Sequence, residues 1–257
     1  MITRIALMSL AAAFAVAGSP ALAATVAPAK TPALTPAAAA APAAAADSAK
    51  TIAALKKRVA EVRRQIGLAH DYDDIEKLES TYSYYLDKNQ WNQLLDLFSP
   101  TVGSIELAQR GSYVGERLRP GVLSTFAPTG AEGPRPNNIG DHQNVQPVIH
   151  VAPDGKTAKV RIRLIQMMGG AGANAMWGGG VYENEMIKED GVWKIKTDHV
   201  YNTFTMPYNA GPSVGGAGGL PGPNTRFPPD HGPSLVFKAY PNVYEIPIHF
   251  KNPVTGK

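Results

Sequence analysis

The sequence predicts an α+β fold in which helices come first and an antiparallel sheet follows. Three observations carry this reading. Apolar residues recur at helical spacing between Ile52 and Phe98, they recur at strand spacing beyond Pro100, and Asp154-Gly155 and Asp190-Gly191 sit between strand candidates as hairpin turns. Parallel βαβ units would need a helix between successive strands, and the later strands have none.

Taken in order, residues 1–23 read as a signal peptide. Arg4 supplies a charged start, residues 5–17 an apolar run, Gly18-Ser19-Pro20 a break, and Ala21 and Ala23 an A-x-A site. The expected mature chain starts at Ala24 and is periplasmic or secreted. With the signal cleaved, no membrane span is expected, because no later stretch approaches the ~20 apolar residues a bilayer requires. Residues 24–47 are almost only Ala, Pro and Thr, a composition that buries no core and predicts a disordered linker. In residues 48–67 the apolar positions Ile52, Leu55, Val59, Val62 and Ile66 form one narrow seam between Lys and Arg. That is an amphipathic helix whose seam suits a partner helix, and so a homo-oligomer.

A second helix is expected to start near residues 71–74, whose acids suit the positive end of a helix dipole. It carries Ile75, Leu78, Tyr82, Tyr85 and Leu86 inward and breaks at Asp87-Lys88-Asn89. A short third helix covers 91–98 and stops at Ser99-Pro100. Residues 102–107 and 112–114 read as short strands, 116–126 as a helix despite Pro120, and 127–140 as a loop. Residues 145–151 and 158–168 form a hairpin, with Val160, Ile162 and Leu164 alternating with Lys159, Arg161 and Arg163. The glycine-rich stretch 169–180 is expected to link this to a second hairpin, 181–188 and 192–204. Residues 209–257 combine Gly and Pro with scattered aromatics, and prolines at 228, 229, 233, 241 and 247 forbid long ladders. They predict an extended arm lying on the domain or on a neighbouring subunit.

Composition excludes several classes. The 25 Lys plus Arg against 21 Asp plus Glu leave a charge of +4, too weak to argue for nucleic acid. The absence of cysteine removes disulfide scaffolds, cysteine nucleophiles and cysteine-ligated metal. No G-K-[ST] follows the glycine clusters, and neither G-x-S-x-G nor H-E-x-x-H occurs. The six histidines are scattered; His142 and His150, eight residues apart, would stand about 26 Å apart on an extended strand, too far for one metal. No metal site is expected.

Two residues suggest chemistry. Asp87 ends a helix whose last residues, Tyr84, Tyr85 and Leu86, look like core, and His142 opens a strand otherwise built from apolar residues. A carboxylate beside an imidazole is the minimum equipment for proton abstraction, since it fixes the tautomer and stabilises the imidazolium that forms. A helix-end acid and a structural histidine are the alternative readings.

At these residues the chain resembles a known group. The run 74–78, then Tyr82-Ser83-Tyr84-Tyr85-Leu86-Asp87, then Trp91 with Leu94-Leu95-Asp96-Leu97-Phe98, is similar to the opening helices of SnoaL-like proteins of the nuclear transport factor 2-like superfamily. Gly111-Ser112-Tyr113-Val114-Gly115, His142 ahead of residues 146–151, and 179–185 followed by 190–195 continue the similarity in the same order, over residues 68–208. The resemblance implies a cone, a curved antiparallel sheet wrapped over helices around an apolar pocket. It looks nearest to the branch containing scytalone dehydratase, bile-acid 7α-dehydratase and lindane dehydrochlorinase. Those enzymes use an aspartate–histidine pair without metal or organic cofactor, and they are often dimers or trimers. By resemblance the aspartate role falls on Asp87, the base role on His142, and a pocket tyrosine on Tyr82; Tyr113 is a looser match. The arginine that some members place late in the sheet has no counterpart here, where the chain offers Lys196, Asp198, His199 and Tyr201. His199 alternates with Trp193, Ile195, Thr197 and Tyr201, so it contacts substrate if that face lines the cone. Trp91 and Trp177 stand as pocket walls, with core packing as the alternative.

Two functions follow. One is a cofactor-free lyase or isomerase of the dehydratase type, acting on a small hydrophobic ring or carbonyl compound. The other is an exported module that binds an apolar molecule, or serves assembly, without turnover. Geometry discriminates them: Asp87 and His142 within hydrogen-bond reach at a closed pocket favour catalysis.

Overall fold

A computed structural model describes residues 41–211, 221–238, 241–243 and 245–257. Residues 1–40, which hold the expected signal peptide and most of the expected linker, and the glycine-rich residues 212–220 lie outside the described residues. The chain divides into two compact units, Met1–Ala53 and Ala54–Lys257. In the first, the described residues are helical from Ala41; the second holds the sheet and the cavity.

One long helix, α1 (Ala41–Asp87), replaces the two helices expected from the sequence, and it begins inside the expected linker. No proline interrupts it beyond Pro42, and the lone Gly67 costs only about 1 kcal/mol in a helix interior. Asp71, read as a helix-start acid, instead lies buried on the sheet side, where its carboxylate accepts from Trp193 Nε1 at 2.9 Å and pairs with Lys188. Ile75 and Tyr82 are buried, and Leu78, Tyr85 and Leu86 pack against the core as expected. Tyr84 is the exception, 72% exposed, because it falls on the opposite side of the helix from Tyr82. The helix ends where Asn89 turns left-handed at φ 53°, and the N–H of Gln90 folds back to the carbonyl of Tyr85.

Two short helices follow, α2 (Trp91–Leu95) and α3 (Leu118–Phe126); Pro120 sits in the first turn of α3, where its missing N–H is harmless. The strands are β1 (Ser104–Leu107), β2 (Ser112–Val114), β3 (Asn138–Val151), β4 (Thr157–Gly170), β5 (Ala173–Glu189) and β6 (Val192–Pro207). They form one curved, open sheet in the order β2-β1-β6-β5-β4-β3, packed on the helices. The α+β cone is thus as expected, with one correction. The sheet is mixed, since β1 runs parallel to β6, Ser104 opposite Thr197 and Leu107 opposite Val200. The helical segments between β1 and β6 are not a crossover on one face; the three antiparallel strands β3, β4 and β5 return the chain to β1's edge.

The Asp190-Gly191 turn has both residues at positive φ, 50° and 81°, which matches the twist of a tight hairpin. The glycine-rich stretch is not the linker expected. β4 and β5 run through it, and only Ala171-Gly172 turns. Its glycines serve close approach: a Cβ on Gly179 would lie 2.5 Å from the Phe204 ring, and one on Gly180 2.7 Å from the carbonyl oxygen of Tyr201.

The described part of the arm lies on its own domain. His231 bridges Ser112, Asp230 pairs with Arg117, and the Phe227 carbonyl accepts from the Tyr113 hydroxyl at 2.8 Å. Farther on, His249 Nδ1 meets Glu183 at 2.8 Å and its Nε2 meets His150 at 3.1 Å. Among the described residues no helix is long and apolar enough to cross a membrane.

Candidate active site

The helices and the concave side of the sheet line a half-open cavity of about 360 Å³. α1 contributes Tyr82 and Leu86, α2 Trp91 and Leu94, and α3 Val122 and Phe126. From β4 come Leu164, Gln166 and Met168, every second residue, as strand geometry requires of one face. β5 adds Met176 and Tyr182, and β6 adds Val200, Asn202 and Thr205. The wall is mostly apolar, with polar groups at a few points, the usual character of a small-molecule site.

His142, on β3 opposite Gln166, reaches this wall. Its ring Nδ1 lies 2.7 Å from Asp87 Oδ1, and its backbone N–H donates to the same oxygen at 3.0 Å. Both side chains are nearly buried, 13% and 12% exposed. The end of α1 therefore delivers Asp87 to the start of β3. A carboxylate accepts only, so the ring proton on that side sits on Nδ1 and Nε2 keeps its lone pair.

Beneath the cavity lies a polar layer that the sequence reading missed. Glu79, Asn184 and Asp198 are all buried. Asn184 donates to Glu79 Oε1 at 2.8 Å and accepts from the backbone N–H of His199 at 2.8 Å. Tyr82 donates to Asp198 Oδ2 at 3.1 Å, while Asp198 Oδ1 has no hydrogen-bond partner among the described residues. Burial, aided by the charge of Asp198, pushes the Glu79 carboxyl up to about 8; burial pushes Asp198 up to about 6. The phenols of Tyr82 and Tyr182 are driven well above their ordinary range, first by burial and then by the Asp198 charge. Glu79 had a signal: it stands three residues before Tyr82 on the buried side of α1, where a charge demands a partner.

The remaining expected contacts divide. Trp91 lines the cavity and stacks on Phe126, ring centroids 5.4 Å apart. Tyr82 lines it too, but its hydroxyl proton is committed to Asp198. Tyr182 has a hydroxyl with no hydrogen-bond partner among the described residues, and it also lines the cavity. Tyr113, Trp177 and His199 do not line it. Tyr113 is wholly buried elsewhere, against Gly121 and the arm. Trp177 packs on Phe204 and donates to the Ala210 carbonyl, on the face opposite its neighbour Met176.

His199 stacks on Tyr201 and lies 3.2 Å from Glu106, beside arm residue Ser234. The cause is an irregularity in register. Met186 pairs with Ile195 but Glu185 pairs with Thr197, so Lys196 is an extra residue on β6. A bulge shifts the alternation by one, and Asp198, Val200 and Asn202 take the inner face in place of His199 and Tyr201.

Among the described residues no group of three or more His, Asp or Glu is arranged to hold a metal ion. The family model of the SnoaL-like domain matches residues 68–198. No curated protein sequence matches the chain. Among solved structures, a protein of Novosphingobium aromaticivorans DSM 12444 that is named for scytalone dehydratase is 23% identical; the match covers 57% of this chain and 93% of that one, with a TM-score of 0.47. A hexachlorocyclohexane dehydrochlorinase, LinA type 2, is 17% identical over 58% of this chain and 99% of its own, with a TM-score of 0.47. ActVI-ORFA from Streptomyces coelicolor is 13% identical over 51% and 96%, with a TM-score of 0.43.

Proposed function

The chain belongs to the SnoaL-like domain family, and from that premise we propose that it is a cofactor-free lyase or isomerase of the dehydratase type, acting on a small hydrophobic ring or carbonyl compound. One observation carries the reading: a single oxygen, Asp87 Oδ1, holds both the backbone N–H and the ring Nδ1 of His142 at the wall of an apolar cavity. His142 Nε2 takes a proton from a carbon next to a carbonyl or a leaving group. The C–H electron pair becomes an enolate or a new double bond, and in an elimination the leaving group departs with its own pair. Asp87 stabilises the imidazolium. Tyr182, whose hydroxyl is uncommitted, donates to the substrate oxygen in the role that resemblance gives to Tyr82. The apolar wall keeps water from competing.

The test is solvent exchange. Cyclic ketones and β-hydroxyketones are incubated with the protein in D₂O, and deuterium at the α carbon and dehydrated product are read by mass spectrometry. Wild type is expected to label or dehydrate members of the panel, and His142→Gln to lose at least ~100-fold of that rate. Binding of these compounds with no exchange and no product would leave a binding module in place of an enzyme.

The seam of α1 supports a proposal about assembly. Ile52, Leu55, Val59, Val62 and Ile66 are 45–57% exposed, and at heptad-like spacing they suit the same seam of a second copy. Leu55→Asp with Val59→Asp is expected to lower the sedimentation coefficient to that of a monomer. A wild type that sediments as a monomer overturns this.

A further inference from the structure

One cation in the cavity wall is without a counter-charge. Arg110 closes the short turn after β1 and lines the cavity, half-buried. Arg64, Arg117, Arg119 and Arg161 each meet a carboxylate. Among the described residues Arg110 has neither an acidic partner nor a hydrogen-bonded one; its guanidinium lies 4.8 Å from the centre of the Phe126 ring. Burial holds that guanidinium below the ordinary arginine range, the signature of a charge paying for lost water.

A second donor waits in the same stack. Trp91 is 4% exposed and lines the cavity, and its Nε1–H is buried with no hydrogen-bond partner among the described residues. A buried donor without an acceptor destabilises the fold, so a ligand acceptor is the natural source of compensation. The Phe126 ring joins the two donors, stacked on Trp91 at an interplanar angle of 14° and touched by Arg110. The turn that sets Arg110 is itself held in an uncommon conformation, with Ala108 at φ 47°.

We propose that Arg110 and the indole N–H of Trp91 form an anion subsite within the cavity, and that the ligand is a hydrophobic molecule carrying a carboxylate. The carboxylate accepts from the guanidinium and the indole, while the apolar body fills the rest of the space. This narrows the substrate class of the site described above and rests on that cavity being the site.

The experiment compares 2-naphthoate with its neutral isostere 2-naphthamide, by titration calorimetry on the full chain. Wild type is expected to bind the carboxylate at least ~10-fold more tightly than the amide, since charge-assisted bonds are about twice as strong as neutral ones. Arg110→Gln should bring the ratio close to one, and Arg110→Lys should retain part of it. Failure of the carboxylate to bind, equal binding of the two probes to wild type, or an unchanged ratio in Arg110→Gln each overturn the proposal. The catalytic reading fails separately. A preference for the carboxylate combined with no turnover of any panel compound would leave the anion subsite standing without the lyase.

Discussion

Asp87→Asn is expected to lower turnover by about 10²–10⁴-fold while leaving the fold intact. The geometry explains both halves of this result. Asp87 Oδ1 accepts from the His142 backbone N–H at 3.0 Å and from the ring at 2.7 Å. An asparagine can set its carbonyl oxygen in the same place and keep both bonds, so His142 stays on the cavity wall. What it cannot supply is the negative charge that stabilises the imidazolium as the substrate proton arrives. Were the amide to rotate, its NH₂ would confront the backbone N–H and force the ring proton onto Nε2, the atom that must accept; either arrangement slows the reaction. The measurement is kcat/KM for whichever panel compound wild type turns over. The thermal midpoint serves as the control and should stay near wild type. Turnover within about threefold of wild type would remove Asp87 from the mechanism.

The inward faces of the helices were legible because their information is local, although the continuity of α1 through residues 67–71 was not. The 3–4 spacing of Ile75, Leu78, Tyr82 and Leu86 is a property of neighbouring residues, and the Asp190-Gly191 turn states its geometry in two letters. The misses share a different character. The extra residue Lys196 in β6 leaves no mark in side-chain type, yet it turns His199 outward and Asp198 inward. The glycines at 178–180 look like a linker in composition, but they lie within β5, where neighbouring atoms leave no room for a Cβ. The parallel pairing of β1 with β6 joins segments about ninety residues apart, and nothing in either short strand declares it.

The candidate site follows the same division. Asp87 and His142 were each conspicuous locally, one at a helix end and one opening an apolar strand, and the resemblance joined them. Arg110 was not conspicuous: an arginine in a turn is ordinary until the structure shows that it lines a cavity without an acid beside it. Tyr182, which the sequence did not single out, has the open hydroxyl in place of Tyr82, because a hydroxyl's availability depends on its partner. The partner of Tyr82 is Asp198, which lies 116 residues away.

Glu79→Gln is expected to make the protein more stable at alkaline pH and to leave it nearly unchanged in acid. Glu79 is buried, accepts from Asn184 at 2.8 Å, and has its carboxyl pushed up to about 8 from an ordinary 4.5. The folded chain therefore keeps a proton that the unfolded chain gives up. Below pH 4.5 both states hold it, and wild-type stability is at its full value. Between pH 4.5 and about 8 the folded state binds more protons than the unfolded one, so stability falls as pH rises, and above about 8 the loss is complete. Asp198, raised from 3.8 to about 6, acts in the same direction over a lower window. The Glu79 shift corresponds to a loss on the order of 5 kcal/mol, a large part of a domain's stability. Glutamine cannot ionise, yet its carbonyl still accepts from Asn184, and its NH₂ replaces the donor of the protonated acid. Urea unfolding at pH 5, 7 and 9 should therefore show wild type weakening steadily while Glu79→Gln weakens only through Asp198, with the gap widening toward pH 9. Parallel profiles for the two proteins would mean that Glu79 is ionised in the fold at neutral pH. The layer under Tyr82 would then hold two adjacent negative charges, which burial of both side chains with one unpartnered Asp198 oxygen makes the costlier arrangement.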